Sequence, residues 1–418
     1  MSKRSRTCAA WEFGPDKRNK SSMTKPTTGT AYIPLSAPEI RGNEWKYVKD
    51  CLDTGWVSSV GEYVNRFERL IADTVGATSA VATSNGTSAL HIALLVSGVQ
   101  PNDEVLVSTL TFIAPVNSIR YASAWPVLMD AEPQLWQMDA DKVKDFLRRH
   151  CVYAHGELRN RKTGRRVKAI LPVHILGHPV DMEPIVSVAR EYGLSVIEDA
   201  TECLGAKYRG ESTGTIGDIA CFSFNGNKII TTGGGGAIVT SNAEWAARAK
   251  YLTTQAKDDP IEFVHGEIGY NYRLTNIQAA LGCGQIEMLG EYIRKKRSIA
   301  SRYEAGLKNV PGIQVMAQAP WAESIFWLYT VLVEETQFGM SSREVLKRLE
   351  ERGIQARPLW QPMHRSPVHR ASEAYACETA DWIHARALSL PCSVGLTESE
   401  QDFVIESLVS LAASPKRK

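Results

Sequence analysis

The chain has 418 residues, 44% of them hydrophobic, and its formal net charge at pH 7 is +2. This length and composition exclude a largely disordered chain, and the near-neutral charge argues against nucleic acid as a partner. The eight cysteines form no CxxC pair and no apolar run of about 18 residues occurs, so the sequence predicts no zinc site, disulfide framework or membrane span.

The first 30 residues differ from the rest of the chain in charge. They carry seven Lys or Arg against two Asp or Glu, a local charge of +5. They also lack the apolar centre of a secretory signal. We therefore expect residues 1–30 to be a disordered extension of a cytoplasmic protein.

From about residue 31, short apolar runs alternate with helical patterns. The stretch "SAVATSNGTSALHIALLVSGV" predicts a strand, a tight turn and a helix that opens near Thr87, and "DEVLVSTLTFIAPVNSIRYA" repeats this theme. A third stretch, "LSVIEDATECLG", predicts a buried strand that ends in acidic residues. Such alternation predicts an α/β fold with a mostly parallel sheet covered by helices.

The later part of the chain has a different pattern. A long helix is predicted from Thr275 to about Leu307, followed by strands in "GIQVM" and "FWLYTVLV" and by helices at 342–352 and 397–412. We expect a large domain at residues 31–285 and a smaller α+β domain at residues 286–418.

One lysine stands out in "CFSFNGNKIITTGGGGAIVT", where Lys228 lies between Ser223 and four consecutive glycines. A lone buried lysine is suited to covalent chemistry with carbonyl groups, and a glycine run lets other groups approach the backbone. Pyridoxal phosphate needs a lysine, a carboxylate facing its ring nitrogen and donors for its phosphate. Lys228, Asp199 and the helix opening at "SNGTS" are candidates for these roles, with Ser223 as a further donor and Phe112 as a stacking ring.

Each of these signals has an ordinary structural alternative. A lone lysine is commonly a solvated surface charge, a glycine run is commonly a flexible turn, and "SNGTS" is typical of a turn with a helix N-cap. Their order favours the cofactor site, because residues 84–88, 112 and 199–202 all follow predicted strands. In an open α/β sheet, ligands bind beyond the carboxyl ends of the strands.

Further motifs carry a family resemblance over nearly all of the chain from about residue 33: "GTSALHIALL", "TFIAPVNSI", "PVHILGHPVDM", "VIEDATECLGAKY", "GYNYRLTNIQAALG" and "RPLWQPMH". Together with the lysine segment, they resemble the DegT/DnrJ/EryC1/StrS family of pyridoxal phosphate-dependent sugar aminotransferases. Within it, "GNEWKYVKDCLDTGWVSSVGEYVNRFE" looks most like the LegC-type branch.

The resemblance implies a type I aminotransferase fold and a homodimer with shared active sites. It assigns Lys228 as the Schiff-base lysine and Asp199 as the partner of the ring nitrogen. The other cofactor residues that it implies in the same chain are Phe112, Gly86, Thr87, Ser88 and Ser223. It also implies that Asn271 reaches the phosphate from the other subunit. Glu202 is a further implied cofactor residue, at a position where many members carry Gln or His.

The substrate residues are less distinct. The resemblance places Arg273 near the phosphate, and Trp56, Ser58 and His364 are candidates for the sugar pocket, with simple packing as the alternative. His174 and His178 have the i, i+4 spacing of some metal sites, but no third ligand is apparent and a structural role is favoured. No metal is predicted.

These observations predict an aminotransferase that acts on a nucleotide-linked 4-keto-6-deoxy sugar, with L-glutamate as donor, for surface glycan synthesis. UDP-2-acetamido-2,6-dideoxy-4-hexulose is the expected acceptor and GDP-4-keto-6-deoxymannose, which gives perosamine, is the alternative. A sugar dehydratase, in which histidine replaces the lysine, and a non-catalytic sugar sensor are the rival classes.

Overall fold

The computed structural model describes residues 32–412, so the predicted N-terminal extension lies outside the described residues. Among the described residues, no helix is long and apolar enough to cross a membrane. The helices, in chain order, are α1 (Glu44–Thr54), α2 (Glu62–Val75), α3 (Gly86–Val96), α4 (Ala114–Tyr121), α5 (Ala140–His150), α6 (Met182–Tyr192), α7 (Ala243–Thr253), α8 (Asn276–Glu287), α9 (Leu289–Leu307), α10 (Glu335–Phe338), α11 (Ser342–Glu351), α12 (Glu378–Arg386) and α13 (Glu398–Leu411).

The strands are mostly short, as is usual for a sheet covered by helices. They are β1 (Ser79–Thr83), β2 (Glu104–Ser108), β3 (Trp125–Met129), β4 (Cys151–Ala154), β5 (Glu157–Asn160), β6 (Val167–Leu171), β7 (Ser195–Asp199), β8 (Lys207–Tyr208), β9 (Glu211–Ser212), β10 (Ile219–Ser223), β11 (Gly236–Thr240), β12 (Lys257–Asp259), β13 (Val264–His265), β14 (Ile313–Gln314), β15 (Ala322–Glu323), β16 (Tyr329–Val333), β17 (Arg357–Pro358), β18 (Glu373–Tyr375) and β19 (Ala387–Leu390).

An eight-stranded sheet forms the centre of the molecule, in the order β1-β11-β10-β7-β6-β2-β3-β18. The pairs from β10 to β18 are parallel, whereas β11 is antiparallel to both of its neighbours, β1 and β10. The prediction of a mostly parallel α/β sheet is therefore confirmed. Because β1 and β10 both oppose β11, they run in the same direction as β7, and the carboxyl ends of all three lie at one edge.

The strands of this sheet are buried on both faces. In β2, Val105, Leu106 and Val107 have no exposed surface, so side chains on alternate sides of the strand are all covered. Such continuous apolar strands are typical of a parallel sheet between two layers of helices. The polar side chains are left to the strand ends and the turns that follow them.

The predicted long helix at residues 275–307 is wrong at one point, because the structure divides it into α8 and α9 at Met288. The Met288 N–H bonds to the carbonyl groups of Gln285 and Ile286, which closes the last turn of α8. The predicted start is confirmed: Thr275 and Gln278 form a capping box.

The chain beyond residue 286 forms a second sheet with the order β14-β16-β19-β17, antiparallel throughout. Helices α9, α11 and α13 pack together beside it. Two strands depart from this arrangement: β18 pairs in parallel with β3 at the edge of the large sheet, and β15 pairs antiparallel with β8. The division at residue 286 stays a prediction.

Candidate functional site

A cavity of about 280 Å³ lies at the carboxyl ends of β7 and β10 and at the start of α3. The sequence motifs that reach it are far apart in the chain, since Gly86 and Lys228 both line the cavity, and the sheet topology joins them. Its walls include seven of the predicted site residues: Gly86, Thr87, Phe112, Asp199, Glu202, Ser223 and Lys228.

Lys228 extends into this cavity from the loop that follows β10. Its side chain is 12% exposed, so it is not the solvated surface lysine of the alternative interpretation. The Nζ atom lies 3.5 Å from Oε1 of Glu202 and 4.0 Å from the centroid of the Trp327 ring. The amine is thus held between a carboxylate and an aromatic face.

Asp199 is the last residue of β7 and is 2% exposed. Its Oδ1 atom accepts a hydrogen bond from the N–H of Thr201 at 3.1 Å. Burial raises the pKa of Asp199 above its usual value, because a carboxylate loses hydration there. A cationic group facing this carboxylate would offset that cost.

Glu202 is the second buried carboxyl group of the cavity. Its Oε2 atom accepts the N–H of Leu176 at 2.8 Å, which leaves Oε1 facing Lys228. Burial raises the pKa of Glu202 to about 7. Leu176 has a left-handed backbone with φ of 61°, an unfavourable conformation for a leucine, and this turn directs its N–H at the carboxyl group.

The start of α3 provides hydrogen-bond donors at the opposite end of the cavity. The side chain of Asn85 caps the helix by accepting the Ser88 N–H at 2.8 Å. The N–H groups of Gly86 and Thr87, in the first turn, have no acceptor within the helix. Ser88 itself is 6% exposed and lies behind the cavity wall.

Glycine is required where these elements meet. A Cβ atom at Gly86 would lie 2.9 Å from Cβ of Ser223, and one at Gly236 would lie 2.6 Å from the backbone of Asn85. The expectation that the glycine run lets groups approach the backbone closely is therefore confirmed at Gly236.

Phe112 lies between β2 and α4 and is 54% exposed. A large aromatic side chain with this exposure at a cavity wall is suited to stack on a flat ligand.

Besides Ser88, five predicted residues lie outside the cavity: Trp56, Ser58, Asn271, Arg273 and His364. Asn276 in α8 binds the carbonyl oxygens of Trp56 and Ser58, and Arg273 donates to the carbonyl of Ser59. Asn271 is exposed, and its predicted role concerns the cavity of a second subunit. The predicted roles of these residues stay predictions.

His364 is the fifth of these residues. Its Nδ1 atom lies 2.9 Å from the hydroxyl of Thr109, and its Nε2 atom lies 3.1 Å from Oδ1 of Asp381. Both ring nitrogens thus have protein partners. This contact set agrees with the packing alternative more closely than with a sugar contact, and the substrate role stays a prediction.

His174 and His178 have structural partners, as the favoured interpretation predicts. Nε2 of His174 lies 3.0 Å from Oε2 of Glu198. The ring of His178 bonds to the carbonyl of Pro179 and accepts the N–H of Ala319.

Two tryptophans of the cavity wall, Trp327 and Trp360, were missed by the sequence interpretation. Trp327 belongs to "FWLYTVLV", an apolar run that predicts a strand, and nothing in a strand pattern separates a packing tryptophan from one at a cavity. Trp360 belongs to "RPLWQPMH", in which the histidine is the more evident candidate for a polar contact. Their approach to Lys228 depends on how the second sheet docks on the first.

The donor set of the cavity fits pyridoxal phosphate. The free N–H groups at the start of α3 and the helix dipole suit a phosphate dianion, and Gly86 leaves room that a side chain would fill. At the other end, a buried carboxylate and a lysine amine line the same cavity, as the ring nitrogen and the aldehyde of the cofactor require.

This fold and this set of side chains define a pyridoxal phosphate-dependent aminotransferase. The chain belongs to the DegT/DnrJ/EryC1/StrS aminotransferase family, whose family model matches residues 38–409.

Individual relatives agree with this membership. GDP-perosamine synthase of Caulobacter vibrioides is 41% identical over 380 residues, which cover 90% of this chain and 97% of that protein. GDP-perosamine synthase of Escherichia coli is 37% identical over 381 residues, covering 90% and 98% of the two chains. The crystal structure of S. venezuelae DesV is similar with a TM-score of 0.82 and 28% identity, covering 92% of this chain and 100% of DesV. The LegC-type branch stays a prediction.

Proposed function

We propose that this aminotransferase transfers an amino group from L-glutamate to the 4-keto carbon of GDP-4-keto-6-deoxymannose, giving GDP-perosamine. The observation that carries this choice is the near full-length similarity to a GDP-perosamine synthase, 41% identical over 97% of that protein. It favours the GDP-linked acceptor over the UDP-linked sugar that the motifs first indicated. The sequence singles out no residue that recognises the base or the C2 substituent of either sugar, so the choice rests on this similarity.

In this proposal, the residues of the cavity divide the binding of the cofactor among them. Gly86 and Thr87 with Ser223 would hold its phosphate, Phe112 would cover its ring, and Asp199 would keep its ring nitrogen protonated, whereas the N–H of Ser88 is already bonded to Asn85. When bound, pyridoxal phosphate supplies an aldehyde that condenses with amines and a ring that withdraws electrons.

Lys228 has two proposed tasks. Its Nζ atom would hold the cofactor through a covalent bond, and the same amine, when free, would hold and move the proton of the donor carbon. Oε1 of Glu202 lies 3.5 Å from Nζ of Lys228. In this proposal, the carboxyl group keeps the amine on its own side of the cavity. Asp199 contributes by its fixed charge and does not itself transfer a proton.

The acceptor is tested by assaying the purified protein with GDP-4-keto-6-deoxymannose and UDP-2-acetamido-2,6-dideoxy-4-hexulose side by side. We expect 2-oxoglutarate and a GDP-linked amino sugar, identified by mass, with the first acceptor. Preferred turnover of the UDP-linked sugar would sink the proposal and restore the first expectation.

Borohydride reduction separates the aminotransferase from the dehydratase rival. Reduction should link the cofactor permanently to Lys228 in the parent protein. No such link should form in Lys228→Ala. Lys250→Ala is the control, because Lys250 pairs with Glu68 at 2.6 Å and does not line the cavity. Undiminished labelling of Lys228→Ala would show that another lysine carries the cofactor.

A further inference from the structure

Trp327 contacts both the amine and the backbone of the lysine segment. Its ring centroid lies 4.0 Å from Nζ of Lys228. Its indole Nε1–H donates to the carbonyl of Asn227, one residue before the lysine, at 2.7 Å. Trp327 belongs to the part of the chain beyond residue 286, so these two contacts join that part to the loop after β10.

Trp327 is itself fixed from behind. Its carbonyl accepts a hydrogen bond from Nζ of Lys296 at 2.5 Å, and the same ammonium donates to the carbonyl of Cys392 at 2.6 Å. Lys296 is 3% exposed, and no carboxylate of residues 32–412 lies within 4.0 Å of its amine. Burying such a cation is costly unless its partners are in place, so this contact restrains the tryptophan backbone.

A second restraint acts on the backbone nitrogen of Trp327. A Cβ atom at Gly177 would lie 2.5 Å from this nitrogen, so the two backbones are in close contact. Gly177 follows Leu176, whose N–H binds Glu202. The turn that orients Glu202 and the residue that covers Lys228 are thus packed directly against each other.

We infer that Trp327 is a positioning residue for Lys228, which it holds beside Glu202 through its ring and its indole N–H. A lysine side chain has many rotamers, and fixing one of them costs entropy. A rigid aromatic face against the amine limits those rotamers before the cofactor arrives. The inference rests on the proposed role of Lys228.

A double-mutant cycle tests this inference through cofactor affinity, without any sugar substrate. The dissociation constant for pyridoxal phosphate is measured in the full chain for the parent, Trp327→Leu, Lys228→Ala and the double variant. If Trp327 acts through Lys228, Trp327→Leu weakens binding about tenfold when Lys228 is present and less than about twofold when it is absent. Equal weakening in both backgrounds would show that Trp327 is only part of the wall, and would overturn the inference.

Two further variants keep the test decisive. Trp327→Phe retains a ring and loses the N–H to Asn227, so we expect an intermediate loss of about threefold that again requires Lys228. Trp360→Phe is the matched control, since Trp360 also lines the cavity and lies 6.4 Å from the Trp327 ring centroid. Its effect should be the same with and without Lys228.

Failure of the proposed function gives a different result. If Lys228→Ala binds the cofactor as tightly as the parent and is labelled equally on borohydride reduction, the role of Lys228 is wrong, and the inference about Trp327 falls with it.

Discussion

The amine of Lys228 and the carboxyl group of Glu202 lie 3.5 Å apart, and both side chains are largely buried. Glu202 is anchored by the N–H of Leu176, so its position does not depend on the lysine. This carboxyl group is therefore a fixed part of the cavity wall, and its charge affects both the lysine and the stability of the fold.

Replacing Glu202 by glutamine should change the dependence of stability on pH. Burial raises the pKa of Glu202 from 4.5 to about 7, so its contribution to stability is full below about pH 4.5 and is lost as the pH rises through about 7. Glu202→Gln does not titrate, yet its amide oxygen can still accept the Leu176 N–H. The free energy of unfolding of this variant minus that of the parent should increase by up to about 3 kcal/mol from pH 5 to pH 8. It is measured by urea unfolding without added cofactor.

Asp259→Asn is the control for this measurement. The N–H groups of Glu262 and Ile261 lower the pKa of that carboxyl group, so it stays ionised from pH 5 to pH 8 in both folded and unfolded chains. The stability difference between Asp259→Asn and the parent should not change over this range. A constant difference for Glu202→Gln as well would contradict the predicted titration.

A methyl group at Gly86 should weaken cofactor binding. Its Cβ atom would lie 2.9 Å from Cβ of Ser223, so the start of α3 and the end of β10 must move apart. Because we expect the phosphate to bind between them, Gly86→Ala should reduce the affinity for pyridoxal phosphate by about tenfold or more, measured by equilibrium titration. Pyridoxal, which lacks the phosphate, should lose much less affinity.

Gly226→Ala is the matched control for Gly86→Ala. A Cβ atom at Gly226 would have no neighbour within 4 Å, although the residue lies in the same loop as Lys228. Its affinity for pyridoxal phosphate should stay within about twofold of the parent. Equal losses for the two variants would show that the loops are sensitive to any change and that the phosphate is not bound at Gly86.

Local patterns were sufficient to predict a mostly parallel α/β sheet and the approach of residues 84–88, 112 and 199–202 to one another. Parallel strands bring their carboxyl ends to one edge, so residues that follow separate strands meet even when they are distant in the chain. The resemblance supplied the role of each residue. Without the resemblance, the glycine run could be a flexible turn, "SNGTS" could be a turn with a helix N-cap, and Lys228 could be a surface lysine.

The residues missed from the sequence depend on packing between distant segments. Trp327 reaches Lys228 because Lys296 and Gly177 fix its backbone, and these contacts span long stretches of chain. The break at Met288 was not predicted either, since the periodicity of the apolar residues continues through it. No local pattern indicates either feature.

His178 should make the protein sensitive to acid. Burial lowers the pKa of His178 from 6.5 to about 4, so stability is full above about pH 6.5 and is lost as the pH falls toward 4. His178→Gln removes this titration and retains groups that can bond to Pro179 and Ala319. The parent should lose up to about 3 kcal/mol relative to His178→Gln between pH 7 and pH 4, measured by urea unfolding at a series of pH values. A difference that does not change with pH would exclude His178 as the source.

The predicted dimer with shared sites can be tested by mixing two inactive variants. Asn271 is exposed and outside the cavity of its own chain, whereas Lys228 lines that cavity. If Asn271 completes the site of the other subunit, a heterodimer of Asn271→Ala with Lys228→Ala has one site that carries both substitutions and one site that carries neither. Unfolding and refolding the two variants together should therefore restore about a quarter of the parent activity, because half of the dimers are mixed and each has one intact site.

Refolding each variant alone is the control, and light scattering of the parent should give twice the mass of one chain. Activity no higher than that of the separate variants would show that Asn271 serves its own chain or no site at all.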